Sequence, residues 1–234
     1  MQHKLIAFFI VLTVCLNAQS LKRTPPFTIK GTVGIPQSVS SSMFHTAFSG
    51  VYDVGLNVNA RAFSNFYVGL AMRNLRFQNN KKIFDGIQNT VVTSATGGQT
   101  IIVNKYETKL NCVGAAIRLG YDQFFEKVYV SYGLETGVFS GNYLNVNENN
   151  AVENLPRVAK VFTSPYVQPD IALNFYADGR LNFSVLFGYG VMFKKFDPKA
   201  PQFNGIGEIR ERKNNMPISW VNIGFGFSVL LGDI

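Results

Sequence analysis

The stretch "LNFSVLFGYGVMF", Leu181 to Phe193, sets the tightest limit on what this chain can fold into. Its odd positions, Leu181, Phe183, Val185, Phe187, Tyr189, Val191 and Phe193, are all apolar. Its even positions, Asn182, Ser184, Leu186, Gly188, Gly190 and Met192, are mostly small or polar. Strict alternation sends the two sets to opposite sides of a β-strand. So long an apolar row needs a cover.

The alternation recurs over 27–35, 52–60, 66–77, 113–121, 128–138, 167–175 and 221–231, which predicts eight strands in all. Each apolar row has about the 9–11 residues that a tilted strand needs to cross a bilayer. No segment after the first 18 residues reaches the ~18 apolar residues of a membrane helix. Charged residues make up 15% of the chain and aromatic residues 14%. Soluble domains carry roughly 25% charge, so lipid is the natural cover for the apolar rows.

The opposite faces carry Lys30, Asp53, Asn57, Asn59, Arg61, Arg73, Arg118, Glu135, Gln168, Asp170 and Asn174, interspersed with glycine. A soluble eight-stranded barrel inverts this pattern, with apolar side chains inside and charge outside. Here the non-apolar face is mostly Gly, Ser, Ala and Asn, which suits a crowded interior. The prediction is an all-β, eight-stranded antiparallel up-and-down transmembrane barrel. A barrel of eight strands is only wide enough for its own side chains.

Connections alternate in length. "RAFSN", "DQFFEK" and "YADGR" are short, whereas 36–46, 78–104, 143–164 and 195–216 read as long external loops. Unequal ends and an even strand count are the pattern of outer-membrane barrels. The first 18 residues, "MQHKLIAFFIVLTVCLNA", read as a cleaved secretory signal, with the barrel occupying 19–234. Cys112 is then the only cysteine, which excludes an internal disulfide. One His and one Cys supply no metal site, and no cofactor motif is present. The net charge of +8 suits anionic lipid headgroups or solvated loops, and export argues against nucleic acid.

Aromatic residues cluster at both ends of the strands. Phe63, Phe66, Tyr121, Phe124, Phe125, Phe175 and Tyr176 flank the short turns. Phe77, Phe139, Tyr143, Tyr166, Phe193 and Phe196 lie near the other rim, and together they read as two interfacial girdles.

Three groups of residues are candidates for function. Lys30, Arg61, Arg73 and Arg118 can pair inside the lumen with Asp53, Glu135 and Asp170, since an unpaired buried charge is costly. This favours a salt-bridged filling over a channel. "TVVTSATGGQTIIV" has two β-rich arms around a glycine turn: Thr90, Val91 and Val92, then Gly97 and Gly98, then Ile101 and Ile102. As a hairpin extending the third and fourth strands it offers an edge for strand addition by a partner. His45 is the only histidine after residue 18, with Ser40–Ser42, Thr46 and Ser49 nearby and Asp53 farther along. A Ser-His-Asp set acting on outer-leaflet lipid is the enzymatic alternative.

On this pattern the chain resembles the small eight-stranded outer-membrane barrels, outer-membrane protein X and the membrane domain of outer-membrane protein A. The resemblance covers nearly all of 19–234. The "NAQS" signal end also resembles exported proteins of Bacteroidota. The resemblance implies a non-enzymatic barrel that presents loops to an envelope protein partner, as an accessory subunit of an envelope or secretion machine. It also implies contact with outer-membrane lipid and lipopolysaccharide.

Overall fold

The structure is a computed structural model that describes residues 26–39, 42–80, 89–93, 99–103, 106–125, 128–147, 158–178, 180–196 and 217–232. The proposed signal segment, Gly97, Gly98 and most of the 195–216 stretch lie outside the described residues.

Among the described residues, ten strands and one short helix follow in chain order: β1 (Phe27–Ser38), α1 (Ser42–Ala47), β2 (Phe48–Phe63), β3 (Phe66–Asn79), β4 (Asn89–Thr93), β5 (Gln99–Val103), β6 (Tyr106–Phe124), β7 (Val128–Asn147), β8 (Val158–Asp178), β9 (Leu181–Lys195) and β10 (Pro217–Leu231). Eight of them close into an antiparallel barrel in the order β1-β10-β9-β8-β7-β6-β3-β2. Closure is made by β1 on β10, which pair from Phe27↔Leu231 to Ser38↔Trp220. A closed barrel leaves no open sheet edge in the hydrocarbon.

The faces divide as the alternation requires. On β9, Phe183, Val185, Phe187, Tyr189 and Phe193 are exposed, whereas Asn182, Ser184, Leu186 and Met192 are buried. Two glycines show why the inner face is so small. A Cβ at Gly190 would overlap the Trp220 indole, and one at Gly133 would overlap the Arg118 guanidinium and the Asp170 carboxylate. Large lumen side chains are seated against bare backbone.

Three sequence expectations need correction. The stretches 36–46, 78–104 and 143–164 are not simply loop. β1 runs on to Ser38 and α1 follows, while β7 continues to Asn147 and β8 begins at Val158. Polar side chains do not end a strand whose backbone still has a partner. The arms of the glycine-turn segment do not extend the third and fourth strands of the barrel. β4 and β5 pair only with each other, Thr90↔Ile102 and Val91↔Ile101 among them, as a separate two-stranded sheet. Their pairing frame is not continuous with that of β3 on β6.

The third correction concerns the upper aromatic girdle. Phe77, Phe139, Tyr143, Tyr166 and Phe196 are all buried inside the barrel, and of that group only Phe193 faces outward. They pack with Phe44, Phe48 and Trp220 into an apolar layer that fills the long-loop end of the lumen. Phe44 of α1 stacks on Phe48 at 5.3 Å and meets Phe77 and Phe196 edge-on. The Phe139 and Tyr166 rings stack at 4.0 Å.

Candidate functional site

Below the aromatic layer the lumen is polar. Asp53 comes from β2, Arg73 from β3, Arg118 from β6, Glu135 from β7 and Asp170 from β8. These are adjacent strands of the sheet, and inward parity directs all five side chains to one level. Arg73 makes a fork on Glu135, Nε to Oε2 at 2.5 Å and Nη2 to Oε1 at 3.0 Å. Its Nη1 donates to both oxygens of Asp53, at 3.1 and 2.9 Å. Arg118 Nη1 bridges Glu135 and Asp170, at 2.6 Å to each. Its Nη2 donates to Asp170 Oδ1 at 2.7 Å and to the Tyr67 hydroxyl at 3.3 Å.

Glu135 is therefore the hinge of the network, shared by two guanidiniums. Its carboxylate is fully buried, as are the Arg side chains to within a few per cent. Fork geometry of this kind gives the strongest of the charged hydrogen bonds. Asn222 of β10 donates to Asp53 at 2.8 Å. With its amide oxygen turned toward Arg73, Gln168 accepts from Nη1 and Nη2 at 3.3 and 3.0 Å.

Sequence reading found the five ionic members but missed Tyr67, Asn222 and Gln168 as their partners. Two expected members stand apart. Lys30 is buried lower in the lumen, where Nζ donates to Asn174 at 3.2 Å. Arg61 lies half-buried near the short turns, with its guanidinium 6.0 Å from the Phe124 ring. Asp122, absent from the sequence candidates, shares this lower region and accepts from Ser131 at 2.6 Å. Among the described residues, four positive and four negative groups named above thus face the interior. A cavity opens at the short-turn end, lined by Lys30, Asn59, Arg61, Asp122, Tyr129 and Asn182 among others.

His45 does not assemble a catalytic relay with Asp53. Its Nδ1 lies 2.6 Å from the Ser38 carbonyl oxygen, so Nδ1 carries the proton and donates it there. The Ser38 hydroxyl donates to the Phe48 carbonyl at 3.0 Å. Asp53 is held by Arg73 and Asn222, deep in the lumen. Cys112 is fully buried on the inner face of β6.

The closed eight-stranded order, the lipid-type outer face and the filled polar lumen coincide in one class of protein. The chain is an eight-stranded barrel of the outer-membrane type. Neisserial surface protein A superposes with a TM-score of 0.51 at 11% identity, over 90% of this chain and 100% of that one. A major outer membrane protein from Thermus thermophilus gives 0.47 at 14% identity, covering 87% and 97%. Ail, the attachment invasion locus protein of Yersinia pestis, solved with the heparin analogue sucrose octasulfate, gives 0.38 at 9% identity, covering 86% and 98%. The fold assignment rests on the first of these. No family model matches the sequence, and no curated protein does either.

Proposed function

We propose that this barrel is a non-catalytic anchor whose work is done by the structure it raises above the membrane at its long-loop end. The observation that carries the reading is the length of three neighbouring strands. β6, β7 and β8 have 19, 20 and 21 residues, against 12 to 16 in the other barrel strands. About 9–11 residues suffice to cross a bilayer. The excess lies at one end. Pairing continues to Tyr106↔Asn147 between β6 and β7, and to Leu144↔Val158 between β7 and β8.

On the outside of β6 and β7 the apolar rows thin out above Val113 and Val138, while on β8 Val161 is still exposed. Above them Asn111, Ser140, Asn142 and Thr163 face outward. A ribbon of three strands so placed is a rigid platform in water, with backbone to offer a protein partner. The filled lumen supports the same reading, since the ion network and the aromatic layer occupy successive levels of it. An accessory role in an envelope or secretion machine follows from the platform, with outer-membrane lipid around the wall and the signal segment removed on export.

The test is native size in mild detergent after extraction from the membrane, with co-purifying proteins identified. A particle much larger than one 26.0 kDa chain, lost when the tip between β7 and β8 is replaced by a short turn, supports the reading. A lone chain with and without the tip, and no cross-linked partner in intact cells, refutes it.

A further inference from the structure

The seam between β8 and β9 is broken in a way that a closed barrel has no need of. β8 carries Pro165 and Pro169, both exposed on the lipid face. Proline has no N–H and is normally kept to sheet edges or bulges. On the β7 side its absence is harmless, because Leu134↔Pro169 and Val138↔Pro165 stay in unbroken register. On the β9 side the ladder fails. Pairing runs from Asp178↔Leu181 up to Asp170↔Gly188, resumes at Val167↔Val191 and Tyr166↔Met192, and stops there. The register puts Pro169 across from Tyr189 and Pro165 across from Phe193. At both points the β9 carbonyl faces a ring in place of a donor.

Both gaps lie in the half of the apolar band nearer the long loops. Tyr189 and Phe193 are exposed beside them. A carbonyl without a donor costs several kcal/mol in hydrocarbon, and water is not at hand to supply one. A donor has to come from the surrounding lipid. Lys195, outward of the last gap on the same face of β9, stands at headgroup level, two residues beyond Phe193.

We propose that the β8–β9 seam is a binding slot for one anionic glycolipid of the outer leaflet, whose acyl chains carry hydroxyl or amide N–H groups. Those groups donate to the β9 carbonyls opposite Pro165 and Pro169, the chains lie along Tyr189 and Phe193, and a headgroup phosphate meets Lys195. Ordinary diacyl phospholipid has no donor at that depth and does not satisfy the slot.

The experiment is native mass spectrometry of the full barrel extracted in mild detergent, followed by reconstitution with lipid A or with phosphatidylglycerol. The variants are Pro165→Val with Pro169→Val, which returns both N–H donors, and Lys195→Gln. The expected result is one lipid A retained by the parent protein, at least tenfold less retained by the double proline variant, and a smaller loss in Lys195→Gln. A heat-shifted band on gels establishes that each variant is folded. Should the double variant not fold, Pro165→Val and Pro169→Val singly are expected to show graded loss. Equal retention of lipid A in folded parent and variant overturns the proposal. So does equal retention of phosphatidylglycerol and lipid A by the parent.

Discussion

Replacing Arg73 by Met removes the four hydrogen bonds that tie Asp53 and Glu135 into the lumen network. Met keeps the apolar stem of the side chain but ends about where Nε stood, so the space of the charged guanidinium group is vacated. Asp53 is left with Asn222, and Glu135 with Arg118. Asp53, buried to within 1%, then faces no cation, while the fully buried Glu135 shares one guanidinium with Asp170. Breaking a buried pair by removing one partner costs about 3–5 kcal/mol. That is about a fifth or more of the roughly 5–15 kcal/mol by which folded domains are stable. The assay is urea unfolding of the refolded barrel in vesicles. It has a built-in reporter, because Trp220 is the single tryptophan and is fully buried just above the network. Adding Asp53→Asn and Glu135→Gln to Arg73→Met is expected to recover most of the loss, since neutral groups no longer demand a cation. A cost below about 1 kcal/mol for Arg73→Met alone, in the range of exposed pairs, would refute the view that these charges are buried and mutually dependent.

Four further outcomes follow from the geometry. Gly190→Val forces a side chain into the Trp220 ring, so the variant is expected to refold poorly or to shift Trp220 emission to the red; unchanged emission and yield would contradict the packing. Phe44→Ala empties the cap of the aromatic layer, at a cost of about 3–5 kcal/mol of local stability if fully realised. Protease cutting within 39–47 should then appear while the heat shift of the barrel persists. Cys112, in a chain refolded from residue 19, should resist maleimide in the folded barrel and react on denaturation; rapid labelling in the fold would mean an open lumen. His45→Ala is expected to leave the lipid composition of the membrane unchanged, and loss of a lipid modification in that variant would restore the enzymatic reading.

The period of two explains what could be read from the residues. Parity is preserved along a strand, so Arg73, Glu135 and Asp170 declared themselves inward by facing away from Met72, Leu134 and Ile171. The same parity holds for the upper aromatics. Phe77 lies four residues from Arg73, Phe139 four from Glu135, and Tyr166 four from Asp170, all on the inner row. Their position near strand ends suggested a girdle, yet an interior can be apolar wherever charge is absent. Pairing between strands was not legible, because it depends on the stagger of the ladders and not on any one strand. That is why Tyr67 and Asn222 gave no sign of joining the network, and why Gln168, already read as inward, had no assigned partner. The six residues of α1 are too few to show a helical period, so the Phe44 cap left no trace in the pattern. The prolines of β8 were visible, but their meaning required knowing which side of the strand kept its register.

The distribution of charge around the wall bears on how such a chain enters a membrane. Every ionic partner of Arg73 and Arg118 comes from β2, β3, β6, β7 or β8, which are contiguous in the sheet. The remaining strands, β9, β10 and β1, bring only Lys30 and neutral groups such as Asn182, Ser184, Asn222 and Ser228 to the deep lumen. A curled, still unclosed sheet of five strands already holds both cations and all three of their anions. Neutralisation is complete before residues separated by nearly the whole chain, Phe27 and Leu231, have to find each other. Zipping the first strand to the last then brings in Lys30 as the charged group of β1, with the guanidinium–carboxylate network already paired.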